Sequence, residues 1–424
     1  MQVDLLIHSA RQLVTCASPV GPKRGEAMRD VGLIEDGALA IAGETIEACG
    51  KSDELRAAYR AAQTLDATDK VICPGFVDCH THLVFAGDRI DEFELRIKGA
   101  TYLEIMAAGG GIATTVRATR EAPMEQLVEG ARRRLDRMFR RGTTTAECKS
   151  GYGLDTRTEL KLMRVLDVLE HIHPIDLVPT FLGAHAVPPE YAGRPDDYVD
   201  LVIGEMAPAV AEWFGASHFV PEGVPFFADA FCEQSAFDSK QSRRVLEACA
   251  ALGMRPKVHA DEFTELGGVD VALALGATSV DHLDATGAEA IRRIAASDTV
   301  AVVLPVVNFN LGGTHFANAR GLIDAGAALA LSTDYNPGSS PCPSLPMTMA
   351  IACRYLRLLP AEALNAVTIN AAHALALGDS TGSLEVGKRA DVLIVGAPDY
   401  RHLSYNFGVN LIERVVKRGR VVTL

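Results

Sequence analysis

The sequence predicts an α/β fold: a (β/α)8 TIM-like barrel with a small discontinuous β-sandwich domain assembled from both termini. Three observations carry this. Strand-like apolar runs alternate with helix-like runs through the middle of the chain, eight such strand runs can be counted, and His, Asp and Glu residues recur at their carboxyl ends. With 424 residues and 48% hydrophobic content, there is enough apolar material for one large core. A doubly wound open sheet is the alternative, but its strand ends would lie in a row, whereas a closed barrel lets them converge on one site.

The first expected unit, residues 1–69, has short alternating strands at 4–7, 37–41 and 45–49, with Gly37, Gly43 and Gly50 as turn residues and 51–63 as a brief helix. Residues 70–381 form the expected barrel. Its strands are read at 72–82, 142–148, 177–185, 225–233, 256–260, 277–282, 300–306 and 327–334, and its covering helices include 124–140, 158–171, 239–251 and 266–275. Residues 382–424 return to β structure at 392–395 and as a strand, turn and strand over 414–422. Neither terminal piece can bury a core alone, so the two are expected to pack together.

Composition excludes several classes of function. A net charge of -13 argues against nucleic acid or an anionic membrane as partner. No apolar run approaches the roughly 18 residues of a membrane span. The nine cysteines are an odd number with no C-x-x-C pair, unlike a disulfide framework. Met1-Gln2-Val3-Asp4 has no basic stretch ahead of an apolar one, as a secretory leader would. A cytoplasmic setting is expected.

The chemistry starts at Pro74-Gly75-Phe76-Val77-Asp78-Cys79-His80-Thr81-His82. Side chains alternate along a strand, so His80 and His82 point the same way, with Asp78 on the same face, and the two imidazoles can share one metal ion. A lone His-x-His is more often a hydrogen-bonded core pair. Here Glu147, His185, Glu233, His259, His282 and Asp334 end other strand runs. His80, His82, His259 and Asp334 would give three nitrogens and one oxygen to Zn2+ or Fe2+, leaving room for a water made acidic enough to serve as nucleophile. His282 is placed to stabilise an oxyanion, Glu262 to carry a proton to a leaving nitrogen, and Asp334 to combine metal contact with proton transfer.

Other signals are weaker. Gly109-Gly110-Gly111 lacks a phosphate-loop spacing and reads as a mobile loop, Arg132-Arg133-Arg134 reads as a solvated helix face, and Cys148 and Cys232 have no neighbouring base in the sequence.

Pro74-Gly75-x-x-Asp78-x-His80-x-His82, Val258-His259-Ala260-Asp261-Glu262, Val280-Asp281-His282-Leu283 and Leu331-Ser332-Thr333-Asp334 resemble motifs of the amidohydrolase superfamily of metal-dependent barrel hydrolases. The stretches 79–87, 109–112, 149–154, 181–185 and 334–339 narrow the resemblance to members that open an imidazolone ring in histidine breakdown, and it spans the whole chain. The resemblance implies hydrolysis of the ring C–N bond of 4-imidazolone-5-propanoate to N-formimino-L-glutamate at one Zn2+ or Fe2+/Fe3+ ion per subunit. It assigns the metal to His80, His82, His259 and Asp334, substrate contacts to Arg89, Tyr152, His185 and Glu262, and the product side to Asn336, Gly338 and Ser339. Arg89 would clamp the propionate. The end of the fourth strand, Phe231-Cys232-Glu233, lacks the carboxylated lysine of binuclear members, although Glu233 keeps a second weak site open. The expected partners are the small-molecule substrate and a second copy of the chain. A purine or pyrimidine deaminase would share the metal site but not the anion clamp, and a scaffold that had lost its chemistry would lack ligands.

Overall fold

The computed structural model describes residues 1–100, 104–105, 110–234 and 236–422. Gly109, part of the glycine run, lies outside them. The chain opens with β1 (Gln2–Val14), β2 (Leu33–Ala42), β3 (Thr45–Lys51), β4 (Arg60–Asp66) and β5 (Val71–Pro74). β1 and β2 pair antiparallel, as do β2 and β3, while β4 and β5 both run parallel to β1.

The barrel follows as β6 (Phe76–Asp78), β7 (Thr143–Lys149), β8 (Asp176–Ala184), β9 (Phe227–Cys232), β10 (Arg255–Ala260), β11 (Ser279–His282), β12 (Val300–Val303) and β13 (Leu329–Leu331). Each pairs parallel with its neighbour in sequence. The two ends of this sheet meet through a bridge between Thr81 and Tyr335. The His82 N–H donates to the Tyr335 carbonyl at 2.9 Å. Asp78 reinforces the seam by accepting from Thr333 N (3.0 Å) and Oγ1 (2.7 Å) and from the Ser332 hydroxyl.

The chain then returns to the first sheet with β14 (Val392–Val395), β15 (Ile412–Lys417) and β16 (Arg420–Val422), and β14 pairs antiparallel with β5. The terminal pieces thus form one mixed sheet of eight strands. It bends at a bulge in β1 where Ser9 has φ 59. Leu5, Ile41 and Ile46 share a core with Val392, Ile394 and Val416, so the sandwich expected from the termini is made of two halves of a single connected sheet. Asp176, which opens β8, accepts from Lys417 (2.7 Å) and Arg389 (2.9 Å) and ties this sheet to the amino end of the barrel.

Several expected elements differ: Gly37 and Gly50, read as turns, pair within β2 and β3, and the strand expected over 300–306 ends at Val303. Helix covers only Ser52–Ala58 of the stretch 51–63, and the rest enters β4. Ala61 and Ala62 favour helix locally, but the unpaired edge of β1 offers a ladder of hydrogen bonds that overrides so weak a preference. The run 72–82 is two strands in two sheets, divided at Gly75. There a Cβ would come 2.2 Å from Thr144 Oγ1, so only glycine lets the chain pass between them. Among the described residues, no helix is long and apolar enough to cross a membrane.

Candidate metal centre

His80 and His82 lie just beyond β6, His259 within β10 and Asp334 just beyond β13, so strands far apart in sequence deliver them to one mouth of the barrel. All four are buried. His80, His82 and His259 each offer a ring nitrogen within 4.8 Å of the others. Asp334 Oδ1 stands 3.5 Å from His80 Nε2 and 3.4 Å from His82 Nε2. Donors placed tetrahedrally at about 2.0–2.1 Å from Zn2+ are about 3.3 Å apart, so this spacing fits one small cation.

Three buried atoms of the group, His80 Nε2, His82 Nδ1 and Asp334 Oδ1, have no hydrogen-bond partner among the described residues, and a cation between His80 Nε2 and Asp334 Oδ1 relieves the cost of two of them. Burial holds His80 and His82 well below the usual imidazole range and therefore neutral, the ligating form. Burial raises the Asp334 carboxyl, while His282 and His259 oppose the shift. The donor set suits a divalent transition metal.

Two of the three imidazoles, His80 and His259, are aimed from behind by carboxylates. Asp281 Oδ2 lies 2.6 Å from His80 Nδ1, and Asp229 Oδ2 lies 2.9 Å from His259 Nδ1. A metal-binding histidine is normally fixed through its other ring nitrogen in this way. Lys149 reaches Asp229 (2.6 Å) and Glu147 (3.0 Å), and Lys257 reaches Glu147 (2.9 Å) and the Cys79 carbonyl (2.9 Å). Burial opposes the charge on Lys149, but Asp229, Glu147 and Asp281 outweigh it and raise its pKa. It stays an ammonium.

Asp229, Asp281 and Lys257 escaped the sequence reading. The available signal was a charged side chain inside an otherwise apolar strand, as in Phe227–Cys232 and Ser279–His282.

The remaining sequence-derived residues divide by role. Arg89, Tyr152, His185, Glu262, His282, Asn336 and Ser339 line the same cavity as His82, His259 and Asp334, which encloses about 690 Å3 of atom-free space, part of it open to solvent. Arg96, Glu92 and Phe231, which the sequence did not suggest, line it too. Arg89 is held by Thr115, whose Oγ1 accepts from Nε at 3.0 Å. Its guanidinium lies against Gly338, where a Cβ would come 2.2 Å from Nη1, so Gly338 supplies room for Arg89 rather than cavity wall. His185 stacks on His82, with centroids 5.1 Å apart, and its Nδ1 is 2.9 Å from the Gly151 carbonyl.

Asn336 is engaged within its own loop: Nδ2 donates to Asp334 Oδ2 (2.9 Å) and Oδ1 accepts from Gly338 N (2.8 Å) and Ser339 N (2.8 Å). Glu262 Oε2 is 3.8 Å from His282 Nδ1. Burial, with Asp334, Asp284 and Glu233 nearby, pushes the Glu262 carboxyl well above the usual carboxylate range. Burial lowers His282 to about 3, which keeps it neutral.

Asp78 does not join the imidazoles, since both its oxygens close the barrel seam. Glu233 is likewise committed, accepting from Gln234 N, Phe263 N and Thr264 N. Burial raises the Cys148 and Cys232 thiols to about 12 and about 11, which removes them as nucleophiles.

Comparison with known proteins follows the same line. Residues 237–422 match the amidohydrolase family. Over 419 residues the chain is 58% identical to an imidazolonepropionase of Chloroflexus aggregans, covering 99% of this chain and 98% of the relative. It is 52% identical to one of Herpetosiphon aurantiacus, covering 99% and 97%. Among solved structures, a zinc-bound adenosine deaminase from Xanthomonas campestris superposes with a TM-score of 0.71 at 19% identity, covering 99% of this chain and 93% of that one. An Escherichia coli guanine deaminase superposes with 0.72 at 17%, covering 99% of each. These distant likenesses establish the barrel architecture alone, whereas near-complete alignment at above half identity establishes kinship: the chain belongs to the imidazolonepropionase family of amidohydrolases.

Proposed function

We propose that His80, His82, His259 and Asp334 hold one divalent metal ion per chain, Zn2+ or Fe2+, and that the residues around it divide the work of opening an imidazolone ring. The reaction is hydrolysis of the ring C–N bond of 4-imidazolone-5-propanoate, which gives N-formimino-L-glutamate in histidine breakdown. When bound, such an ion supplies Lewis-acid chemistry, polarising a carbonyl oxygen and making water acidic near neutral pH.

The chain's own residues bind, orient and move protons. Arg89, fixed by Thr115 and Gly338, offers a planar fork to the propionate. Tyr152, His185 and Phe231 wall the ring's side of the cavity. Hydrolysis breaks one C–N bond, forms one C–O bond, and needs a proton on the departing nitrogen. Glu262, whose buried carboxyl has a raised affinity for protons, is the donor, and neutral His282 beside it orients the carbonyl oxygen. Asp334 accepts the proton of the attacking water. Asn336 keeps Asp334 in place through its Nδ2, with Ser339 at its side. A single ion is favoured because Lys149 is an ammonium between carboxylates, not a free amine.

The observation that carries this reading is the pair of unpartnered buried atoms, His80 Nε2 and Asp334 Oδ1, 3.5 Å apart at the foot of a cavity with an arginine in its wall. The test is the loss of imidazolonepropionate absorbance by purified protein before chelation, after it, and after Zn2+ or Fe2+ is returned. Turnover that survives complete metal removal would overturn it. A deaminase reading would instead have Arg89→Ala retain full activity.

We also infer a homodimer, because Tyr355, Tyr405, Phe407 and Val409 are exposed on neighbouring segments joined by Arg354. Sedimentation gives the subunit count. A reducing, cytoplasmic setting agrees with nine free cysteines.

A further inference from the structure

At the opposite end of the barrel, near the start of β8, the fold gathers a second group of metal-ligand side chains. His171 occupies the last turn of the helix Thr156–Ile172, and His218 lies between the helix Ala207–Gly215 and β9. Their rings approach to 4.4 Å between centroids, and His171, His218 and Asp167 each offer a ligand atom within 4.8 Å of the others. His173, two residues on, turns away towards Asp136 and Phe139, so the pairing is made by the fold rather than by sequence spacing.

Asp167 addresses both rings. Its Oδ1 lies 2.7 Å from His218 Nδ1, and its backbone carbonyl lies 2.7 Å from His171 Nδ1. A carbonyl oxygen only accepts, and a carboxylate does the same, so both Nδ1 atoms donate, and Nε2 is the nitrogen each ring has left to offer a ligand. His218 Nε2 is buried and has no hydrogen-bond partner among the described residues. A hydrogen-bonded surface pair explains the Nδ1 contacts but leaves that buried atom unexplained.

We propose that His171 and His218 bind a borderline divalent cation of the Zn2+, Ni2+ or Cu2+ class through Nε2, with Asp167 fixing both rings. Tethering the far ring nitrogen to a carboxylate or carbonyl is the arrangement that protein metal sites use, and imidazole nitrogens suit this class of ion. The end of a helix carries partial negative charge, which favours a cation there. The same cavity is lined by Glu170 and Glu222. Two of its cations are already matched: Lys417 pairs with Asp176 and Asp391, each at 2.7 Å, and Arg418 with Asp176 at 3.0 Å. The ion would clip the end of one barrel helix to the segment that leads into β9, far from the substrate cavity.

The test uses full-length protein stripped by chelator, reloaded with Zn2+, desalted and assayed for metal by mass spectrometry. Wild type should retain one ion more per chain than His171→Gln or His218→Gln, with the activity of both variants unchanged. Asp167→Asn should keep the site but bind 10- to 100-fold more weakly. Cu2+ added to the zinc-loaded enzyme should show nitrogen hyperfine coupling that His218→Gln removes. Equal retention by wild type and both variants, or non-saturating uptake that desalting strips from all three, marks an adventitious ion only and overturns the proposal.

Discussion

Asp281 holds His80 from behind: its Oδ2 lies 2.6 Å from the imidazole Nδ1, and neither side chain is exposed. On the far side of the same ring, Nε2 faces Asp334 Oδ1 at 3.5 Å. One buried carboxylate thus sets the tautomer with which the ring addresses the other.

Asp281→Asn should therefore weaken metal retention by about 10- to 100-fold. It also leaves Lys149 and Lys257 with less buried negative charge, at a cost to folding of about 3–5 kcal/mol when one partner of a buried pair is lost. Chelator competition and thermal unfolding of the same variant measure the two effects. Wild-type retention would remove Asp281 from the metal's support.

Glu262→Gln should retain its metal and lose about 10²- to 10⁴-fold in kcat, the usual worth of general acid and base help. Metal content and single-turnover rates are the readouts. Robust turnover in this variant would exclude Glu262 as the proton donor.

Arg89→Ala should raise KM for imidazolonepropionate and lower kcat/KM by roughly 10- to 150-fold, since a charge-assisted hydrogen bond contributes about 1.5–3 kcal/mol. Gly338→Ala should shift KM the same way although it touches no substrate, because its Cβ would strike the Arg89 guanidinium. Unchanged KM in Gly338→Ala would mean that Arg89 works equally well from another position.

Asp284 makes stability depend on pH. Burial pushes its carboxyl up to about 8, and its Oδ2 is buried without a hydrogen-bond partner among the described residues. Between its unfolded value of about 3.9 and about 8, the folded chain holds one proton more than the unfolded chain. This group's contribution to stability therefore falls as pH rises through that window. Asp284→Asn should flatten the decline, as followed by thermal unfolding from pH 5 to pH 9. Parallel curves for variant and wild type would show that Asp284 ionises normally.

His80→Ala or His259→Ala should abolish turnover and metal retention together, because three-donor remnants bind far less tightly. Metal analysis after gel filtration, beside the rate, checks both. Activity with stoichiometric metal in either variant would shift the site elsewhere.

The sequence by itself determined which residues could share a face and where they stood along their strands. Alternation put His80 beside His82, and the ends of apolar runs marked His259, His282 and Asp334, because those patterns are local consequences of backbone geometry. Only the tertiary structure decided which local patterns meet. It turned Asp78 from the imidazoles to the barrel seam. It committed Glu233 to the backbone of the Phe263 loop, gave β4 to the edge of β1, and placed Asp229 and Asp281 behind the histidines rather than among the ligands. Those outcomes depend on closing a sheet of eight strands, in which a polar group's partner stands from 30 positions away, as for Asp229 and His259, to 255, as for Asp78 and Thr333. The free energy of burying such a group belongs to the pair and not to either segment alone.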